Sequence, residues 1–278
     1  MTRALFFRWT TLVLTAGFVA AAQVEGQVAK TDSARKAGKP VFTGDDALLA
    51  LGFVGITVAM FPLDKSAARR LRSPSSSENQ FINGTTKGIE VIADPGSIVV
   101  GSAMYVAGRL TNHRTLQDIG LHMTESIVVG SGVTAVLKGA LGRSRPFVTD
   151  ATDPRDFKFG KGFGNSDRQS FPSGHTTAAF AAAASVTSEM KRVYPGSTWI
   201  VGPVMYGSAT MVGLARMYHN KHWASDVALG AAIGTFSGLK IVRYSHNHPG
   251  NPVDRRLLSA MVQPNGDGGE LVGLSLQW

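Results

Sequence analysis

The sequence contains no cysteine, and its acidic residues are few, with 19 Asp and Glu against 28 Lys and Arg. Without cysteine the chain can form no disulfide, hold no thiolate-bound zinc and carry no thiol nucleophile. The formal net charge of +9 favours anionic partners or surfaces. No zinc-finger spacing and no interleaving of basic with aromatic residues supports nucleic-acid binding, so we expect no nucleic-acid partner.

Hydropathy is also low for a protein with many membrane spans, with a mean of only +0.04. Apolar segments long enough for helices nevertheless recur, and none of them alternates like a strand. They run over about 46–61, 95–110, 119–141, 172–190, 197–215 and 223–242. The pattern predicts an all-α bundle of about six core helices, with the basic residues 65–79 and the polar residues 142–171 as loops.

The N-terminus has the three parts of a secretory signal. Arg3 and Arg8 are basic, residues 10–19 are apolar, and residues 20–22 are three alanines that suit a cleavage site. We therefore predict export, with the bundle folded in the periplasm or cell envelope. The alternative is an uncleaved anchor and a bundle in the inner membrane, because several segments approach the ~20 apolar residues that a span needs.

The C-terminal residues have a strand pattern instead of the helical pattern of the preceding segments. Residues 257–263 and 271–278 read as two strands around a Gly-rich turn, which predicts a short hairpin. The predicted parts are a signal peptide (1–22), a flexible lead-in (23–43), the helical domain (44–244) and the C-terminal tail (245–278).

Two cations stand where the third apolar segment ends. Lys138 and Arg145 are seven residues apart, so both lie on one face if the helix continues that far. Pro146, however, disfavours helix in the residue before it. Two fixed cations at a helix end suit an anion, although an interaction with the helix macrodipole explains them as well.

A Pro-Ser-Gly-His string opens the fourth segment. Pro172 suits a first helical turn, so the backbone N–H groups of Ser173 and Gly174 would face outward toward an oxyanion. His175 follows directly, where it could give a proton to a leaving group. The alternative is a helix N-cap with an incidental histidine.

A histidine and an aspartate flank the start of the sixth segment. His222 and Asp226 are four residues apart, so on a helix the carboxylate reaches one imidazole nitrogen and leaves the other free to attack. Arg216 precedes them. By itself, a structural His–Asp pair explains this spacing equally well. Together, the three clusters supply the cations, donors, nucleophile and acid that phosphoryl transfer requires.

The three clusters resemble the three-part signature of the type 2 phosphatidic acid phosphatase (PAP2) superfamily. In chain order they read Lys138-x6-Arg145-Pro146, Pro172-Ser173-Gly174-His175 and Arg216-x5-His222-x3-Asp226. This superfamily includes bacterial acid phosphatases, lipid phosphate phosphatases and vanadium haloperoxidases. The resemblance covers about residues 46–242 and implies the family's helical bundle. The sequence departs from the family at Ala215, where serine is common.

The resemblance implies a role for each of these residues. His222 would attack phosphorus, and Asp226 would orient and polarise it. His175 would protonate the leaving oxygen and then activate water. The phosphoryl oxygens would be bound by Lys138, Arg145, Ser173, Gly174 and Arg216.

The implied activity is a metal-independent phosphatase that hydrolyses phosphomonoesters or lipid diphosphates through a phosphohistidine. No cofactor is expected, vanadate would inhibit, and the partner would be a phosphorylated small molecule or lipid, with membrane association as a further expectation. The alternatives are a vanadate-dependent haloperoxidase with vanadium on His222, a lipid phosphatase embedded in the inner membrane, and a non-catalytic protein that binds anionic lipid.

Two further features have ordinary interpretations. Basic residues of the loop 142–171, Arg143 among them, could steer a phosphorylated substrate, but nearby aspartates offset them, and a solvated loop is preferred. The pair His246-x-His248 could bind a metal. No third ligand is evident in the sequence, so we expect a surface pair and no metal site.

Overall fold

The computed structural model describes residues 42–71, 80–248, 250–258, 261–264 and 270–273 of the 278-residue chain. The predicted signal peptide and the predicted hairpin turn lie outside these residues. The chain divides into two compact units, Met1–Gly52 and Phe53–Trp278. Within the first unit, Asp46 accepts hydrogen bonds from the N–H and the hydroxyl of Thr43, at 2.7 and 2.8 Å. The second unit carries all the residues of the three clusters.

Helices make up most of the described residues. In chain order they are α1 (Gly44–Met60), α2 (Asp64–Leu71), α3 (Gln80–Val91), α4 (Ser97–Leu110), α5 (Arg114–Leu141), α6 (Gly174–Val193), α7 (Thr198–Tyr218), α8 (Ala224–Asn247) and α9 (Pro252–Leu258). Two strands, β1 (Met261–Pro264) and β2 (Glu270–Gly273), pair antiparallel. The all-α class predicted from the sequence is confirmed. The first strand is shorter than predicted, because residue 257 still belongs to α9.

The six predicted segments correspond to α1, α4, α5, α6, α7 and α8. Two predictions between the first and second segments are wrong. Residues 65–71 form helix α2 rather than loop, since Ala67 and Ala68 are buried in the second unit. Helix α3 escaped prediction because its Gly, Asn and Thr residues have low helix propensity. A π-helical turn, Ile92–Gly96, links α3 to α4, so no new helix begins at residue 95.

The core is built around the Ala-rich helix α6, which packs against α5, α7 and α8. Ala181, Ala183 and Ala184 are completely buried. On α8, a Cβ atom placed on Gly234 would collide with the backbone carbonyl of Thr177 on α6. Small residues therefore let these helices approach closely, as they do at helix interfaces within membranes.

Three stretches are long and apolar enough to cross a membrane, judged by length and composition: Gly44–Leu71, Arg114–Leu141 and Ala224–Asn247. Large apolar side chains are also exposed on several helices of the second unit. They include Val99 and Val106 on α4, Val129 and Val136 on α5, and Trp199 and Val204 on α7. Apolar exposure on this scale is typical of surfaces that contact lipid or another protein.

Candidate active site

Helix α5 ends directly before the site. Gly142 adopts the left-handed conformation at φ 58° and ψ 42°, and its N–H donates to the carbonyl of Lys138 at 3.1 Å. Arg145 is therefore on a loop, so the condition for a helical face shared with Lys138, a helix that continues to Arg145, is not met. The Lys138 ammonium donates to the carbonyl of Gln169 at 2.5 Å.

The loop conformation of Arg145 is held by two backbone carbonyls. Its Nε donates to the carbonyl of Ser166 at 2.9 Å, and its own N–H donates to the carbonyl of Asp167 at 3.0 Å. Burial, followed by the charge of Arg216, lowers the pKa of Arg145. The two guanidinium groups therefore lie close enough to repel each other, and a bound anion would relieve that repulsion.

Arg216 lies in the last turn of α7 and is mostly buried. Its guanidinium forms an ion pair with Glu90 of α3 at 2.9 Å, while its Nε has no hydrogen-bond partner among the described residues. The other oxygen of Glu90 lies 2.9 Å from Nδ1 of His219. Glu90 was not predicted as a site residue, since α3 itself was missed.

His222 precedes α8 and is 3% exposed. Its Nδ1 lies 2.7 Å from the carbonyl oxygen of Ser170, and because a carbonyl only accepts, Nδ1 carries the proton. Nε2 therefore keeps its lone pair. Burial above all, reinforced by the charges of Lys138 and Arg145, lowers the pKa of His222 to about 3. The imidazole is neutral at pH 7 and lies within the field of these cations.

Asp226 contributes to the position of His222, but mainly through another residue. Its Oδ2 is 3.5 Å from Nδ1 of His222, whereas it accepts a hydrogen bond from the hydroxyl of Ser170 at 2.5 Å. Oδ2 also accepts from the N–H of Trp223 at 2.7 Å, which caps α8. The direct His–Asp hydrogen bond expected from the spacing is thus replaced by a Ser170 bridge, which the sequence did not indicate.

Arg143 anchors the other oxygen of Asp226. One guanidinium nitrogen lies 2.5 Å from Asp226 and the second lies 2.6 Å from Asp64 of α2. All three side chains are completely buried. The interpretation of Arg143 as part of a solvated loop is therefore wrong, because it joins two buried carboxylates.

The Pro-Ser-Gly-His string lies at the start of α6, which begins at Gly174 with Ser173 as N-cap. The N–H of Ser173 donates to the carbonyl of Asp226 at 2.9 Å, so the prediction that it faces an oxyanion is wrong. The Ser173 hydroxyl oxygen accepts from the hydroxyl of Thr176 at 2.8 Å, which leaves its own hydrogen available. His175, the next residue on α6, is half-buried.

The predicted clusters thus meet at one end of the bundle. Helix α5 ends there, α6 and α8 begin there, and α7 ends there. Chemically, the arrangement combines a neutral imidazole whose Nε2 can attack with a group of cations that can bind a phosphoryl anion.

The PAP2 superfamily model matches residues 119–249. This segment holds every residue of the predicted signature, from Lys138 to Asp226. Residues 119–249 therefore belong to the PAP2 superfamily.

Two bacterial lipid A 1-phosphatases are among the similar proteins. That of Rhizobium johnstonii is 32% identical over 123 residues, which are 44% of this chain and 46% of the relative. That of Porphyromonas gingivalis is 42% identical over 69 residues, which are 25% of this chain and 15% of the relative. The chain thus spans about half or less of the length of these curated relatives.

The fold is similar to that of the transmembrane PAP2-type phosphatidylglycerolphosphate phosphatase from Bacillus subtilis. The TM-score is 0.55 at 20% sequence identity, with 72% of this chain and 96% of that structure covered. At this identity the likeness establishes the fold alone. It agrees with the predicted helical bundle.

Proposed function

We propose that the protein is a membrane-embedded phosphatase that removes a phosphate group from a lipid through a phosphohistidine on His222. The observation that carries this proposal is the state of the His222 ring. Its Nδ1 donates to the carbonyl of Ser170 at 2.7 Å, so the lone pair of Nε2 is available beside Lys138 and Arg145. A neutral imidazole with fixed orientation is what nucleophilic attack requires.

In the first step, Nε2 of His222 attacks phosphorus while the bond from phosphorus to the leaving oxygen breaks. Lys138, Arg145 and Arg216 hold the equatorial oxygens, whose charge they neutralise in the transition state. Protonated His175 gives its proton to the leaving oxygen, so the product departs as an alcohol or a protonated phosphate. Ser173 and Gly174 lie beside this position at the start of α6.

In the second step, water attacks the phosphohistidine. Neutral His175 takes a proton from that water as its oxygen bonds to phosphorus, and the bond from phosphorus to Nε2 breaks. Inorganic phosphate leaves, and His222 returns to its neutral form with Nδ1 still bonded to Ser170. The step uses no metal ion, and no other cofactor enters the cycle.

Apolar surface beside the cations favours a lipid over a soluble phosphate ester. Phe147, Phe159 and Phe163 of the loop after α5 are 42%, 76% and 66% exposed. Phe147 also lies under the ammonium of Lys221, which is 4.8 Å from its ring centre. Exposed aromatic rings, one of them beside a cation, suit a molecule with an acyl chain and an anionic head. The similar lipid A 1-phosphatases support this substrate class.

We propose that the helical bundle lies in a membrane, in place of the periplasmic bundle expected from the mean hydropathy. Three stretches have the length and composition of spans, and valines on the outside of α4, α5 and α7 are exposed. The mean hydropathy is low because small and polar residues fill the helix interfaces and the loops. Export stays a prediction, since residues 1–22 lie outside the described part of the chain.

The test is phosphate release by the full chain, purified in detergent with EDTA present. We expect turnover of a lipid phosphomonoester, inhibition by vanadate, and a loss of at least about 10³-fold in His222→Ala. His248→Ala is the matched control, since that ring stacks on Tyr244 away from the site. Near-normal turnover in His222→Ala would reject the phosphohistidine. Faster turnover of a soluble ester than of any lipid phosphate would reject only the lipid substrate.

A further inference from the structure

A second cluster of titratable side chains lies far from the phosphate site. It combines two histidines with four carboxylates, contributed by α5, α6, α8 and α9. Its members are Asp118, His122, Glu125, Glu189, His246 and Asp254. Of these residues, only His246 was considered as a metal ligand from the sequence, as part of the pair His246-x-His248.

The cluster occupies the opposite end of the helices that carry the phosphate site. His122 precedes Lys138 by sixteen residues on α5, which corresponds to about 24 Å along a helix. Glu189 is likewise near the end of α6, whereas Gly174 begins it. The proposed phosphatase cycle therefore uses none of these side chains.

One edge of the His122 ring is fully paired. Nδ1 lies 2.6 Å from Oε1 of Glu189, and Nε2 of His246 lies 2.8 and 3.0 Å from the two Glu189 oxygens. A carboxylate accepts, so both imidazoles donate to it. His122 and Glu189 are 1% and 2% exposed. This chain of buried hydrogen bonds fixes the orientation of His122.

The other edge of the ring faces acceptors. Nε2 of His122 has no hydrogen-bond partner among the described residues, and it lies 3.6 Å from Oδ2 of Asp254. Oε1 of Glu125 is also buried without a partner in the same part of the structure. When His122 is neutral, with its proton on Nδ1, this edge presents a lone pair to two carboxylates. Such an arrangement is costly unless a cation lies between them.

We infer that His122 Nε2, Glu125 and Asp254 bind a divalent transition-metal ion of the Zn²⁺ class. The three ligand atoms lie within 4.8 Å of one another, so small side-chain shifts would bring them around one ion with bonds of about 2.0–2.2 Å. Imidazole nitrogen with carboxylate oxygens selects such ions over Mg²⁺ and Ca²⁺. Metal-binding histidines usually donate their other N–H to a carboxylate, as His122 does to Glu189.

The role of this ion is structural. Asp254 belongs to the short helix α9, which follows α8, whereas His122 and Glu125 lie on α5. An ion bound by all three would hold α9 against the end of the bundle. It would also offset the excess negative charge, since four carboxylates share this region with two histidines, and His122 is neutral when it is a ligand.

The test is binding of Zn²⁺ alone to the full chain in detergent, after treatment with a chelator, by titration calorimetry and elemental analysis. We expect about one equivalent in the wild type and in His248→Ala. Glu125→Gln and Asp254→Asn should each weaken Zn²⁺ binding at least about tenfold. Far-UV circular dichroism would show which variants fold, and Glu125→Asp, which keeps a carboxylate, should recover part of the affinity.

Three results would overturn the assignment. The first is no Zn²⁺ binding by the wild type at micromolar concentration. The second is unchanged binding in a folded Glu125→Gln or Asp254→Asn variant. The third is Mg²⁺ binding as tight as that of Zn²⁺, which would contradict the imidazole ligand. None of these results depends on phosphatase activity, so this inference and the proposed function fail separately.

Discussion

The two ends of the helical bundle bury carboxylates next to different kinds of cation. At the phosphate end, Asp64 and Asp226 share the guanidinium of Arg143, at 2.6 and 2.5 Å. At the far end, Glu125 and Asp254 face Nε2 of His122, with no fixed cation between them among the described side chains. The cation at the first end is a side chain of the protein, Arg143. At the second end, the inferred cation is a metal ion bound from solution. Because a buried charge needs a partner, each arrangement meets the same requirement.

Arg143 is suited to this position by more than its charge. Its guanidinium carbon lies 5.0 to 5.5 Å from the ring centres of four aromatic residues. These residues are Phe61, Phe157, Phe171 and Trp223. A planar, weakly hydrated cation can stack between rings while its edge donates to both carboxylates, which an ammonium cannot do. Arg143 therefore stabilises the phosphate end from a completely buried position.

The largest expected effect follows from removing this built-in cation. Arg143→Met would leave Asp64 and Asp226 buried and unpaired, which costs about 3–5 kcal/mol. We expect a large fall in the midpoint of thermal unfolding in detergent, and no recovery on addition of Zn²⁺. Arg168→Met is the matched control, because Arg168 pairs with Asp156 at 3.0 Å in a partly exposed position. Such pairs contribute about 0–1 kcal/mol. Equal effects of the two substitutions would contradict the role assigned to Arg143.

A second prediction concerns how stability depends on pH, to which His222 contributes at the phosphate end. Burial lowers the pKa of His222 to about 3, whereas an unfolded histidine titrates near 6.5. Between these values the unfolded chain binds a proton that the native chain does not. Stability therefore falls as pH falls, by up to about 1.4 kcal/mol per pH unit from this residue.

His222→Asn removes this contribution and leaves the far end unchanged. We expect the unfolding midpoint of the variant to fall less than that of the wild type between pH 7 and pH 4. Thermal unfolding at several pH values, with EDTA present throughout, measures the difference. Parallel curves for the two proteins would show that His222 titrates normally, and that its lone pair is not protected by burial.

The residues that meet at the phosphate end could be selected from the sequence because the signature lies in three short, ordered strings, whereas their roles stay predictions. Lys138, Arg145, His222 and Asp226 carry spacing that can be recognised without coordinates. The helices themselves followed from apolar runs, as α6 and α8 illustrate.

The partners of these residues could not be predicted in the same way. Asp64 lies 79 residues before Arg143, and Ser170 lies 56 residues before Asp226, so no local spacing signals either contact. The far cluster is harder still, since His122, Glu189 and Asp254 stand on three different helices. Only packing of those helices brings them together.

The smallest expected effect concerns Glu90 of helix α3. It tests how charge at the phosphate end affects anion binding. Glu90 pairs with Arg216 at 2.9 Å and so cancels part of the positive field that would bind phosphate. Glu90→Gln keeps an acceptor for Arg216 but removes the negative charge. We expect vanadate to inhibit the variant at a concentration about threefold to tenfold lower, since tenfold corresponds to about 1.4 kcal/mol. Asp156→Asn, whose carboxylate pairs with Arg168, should leave vanadate inhibition unchanged. Weaker inhibition of Glu90→Gln would mean that Glu90 serves chiefly to position Arg216, because lost orientation would then outweigh the gain in positive charge.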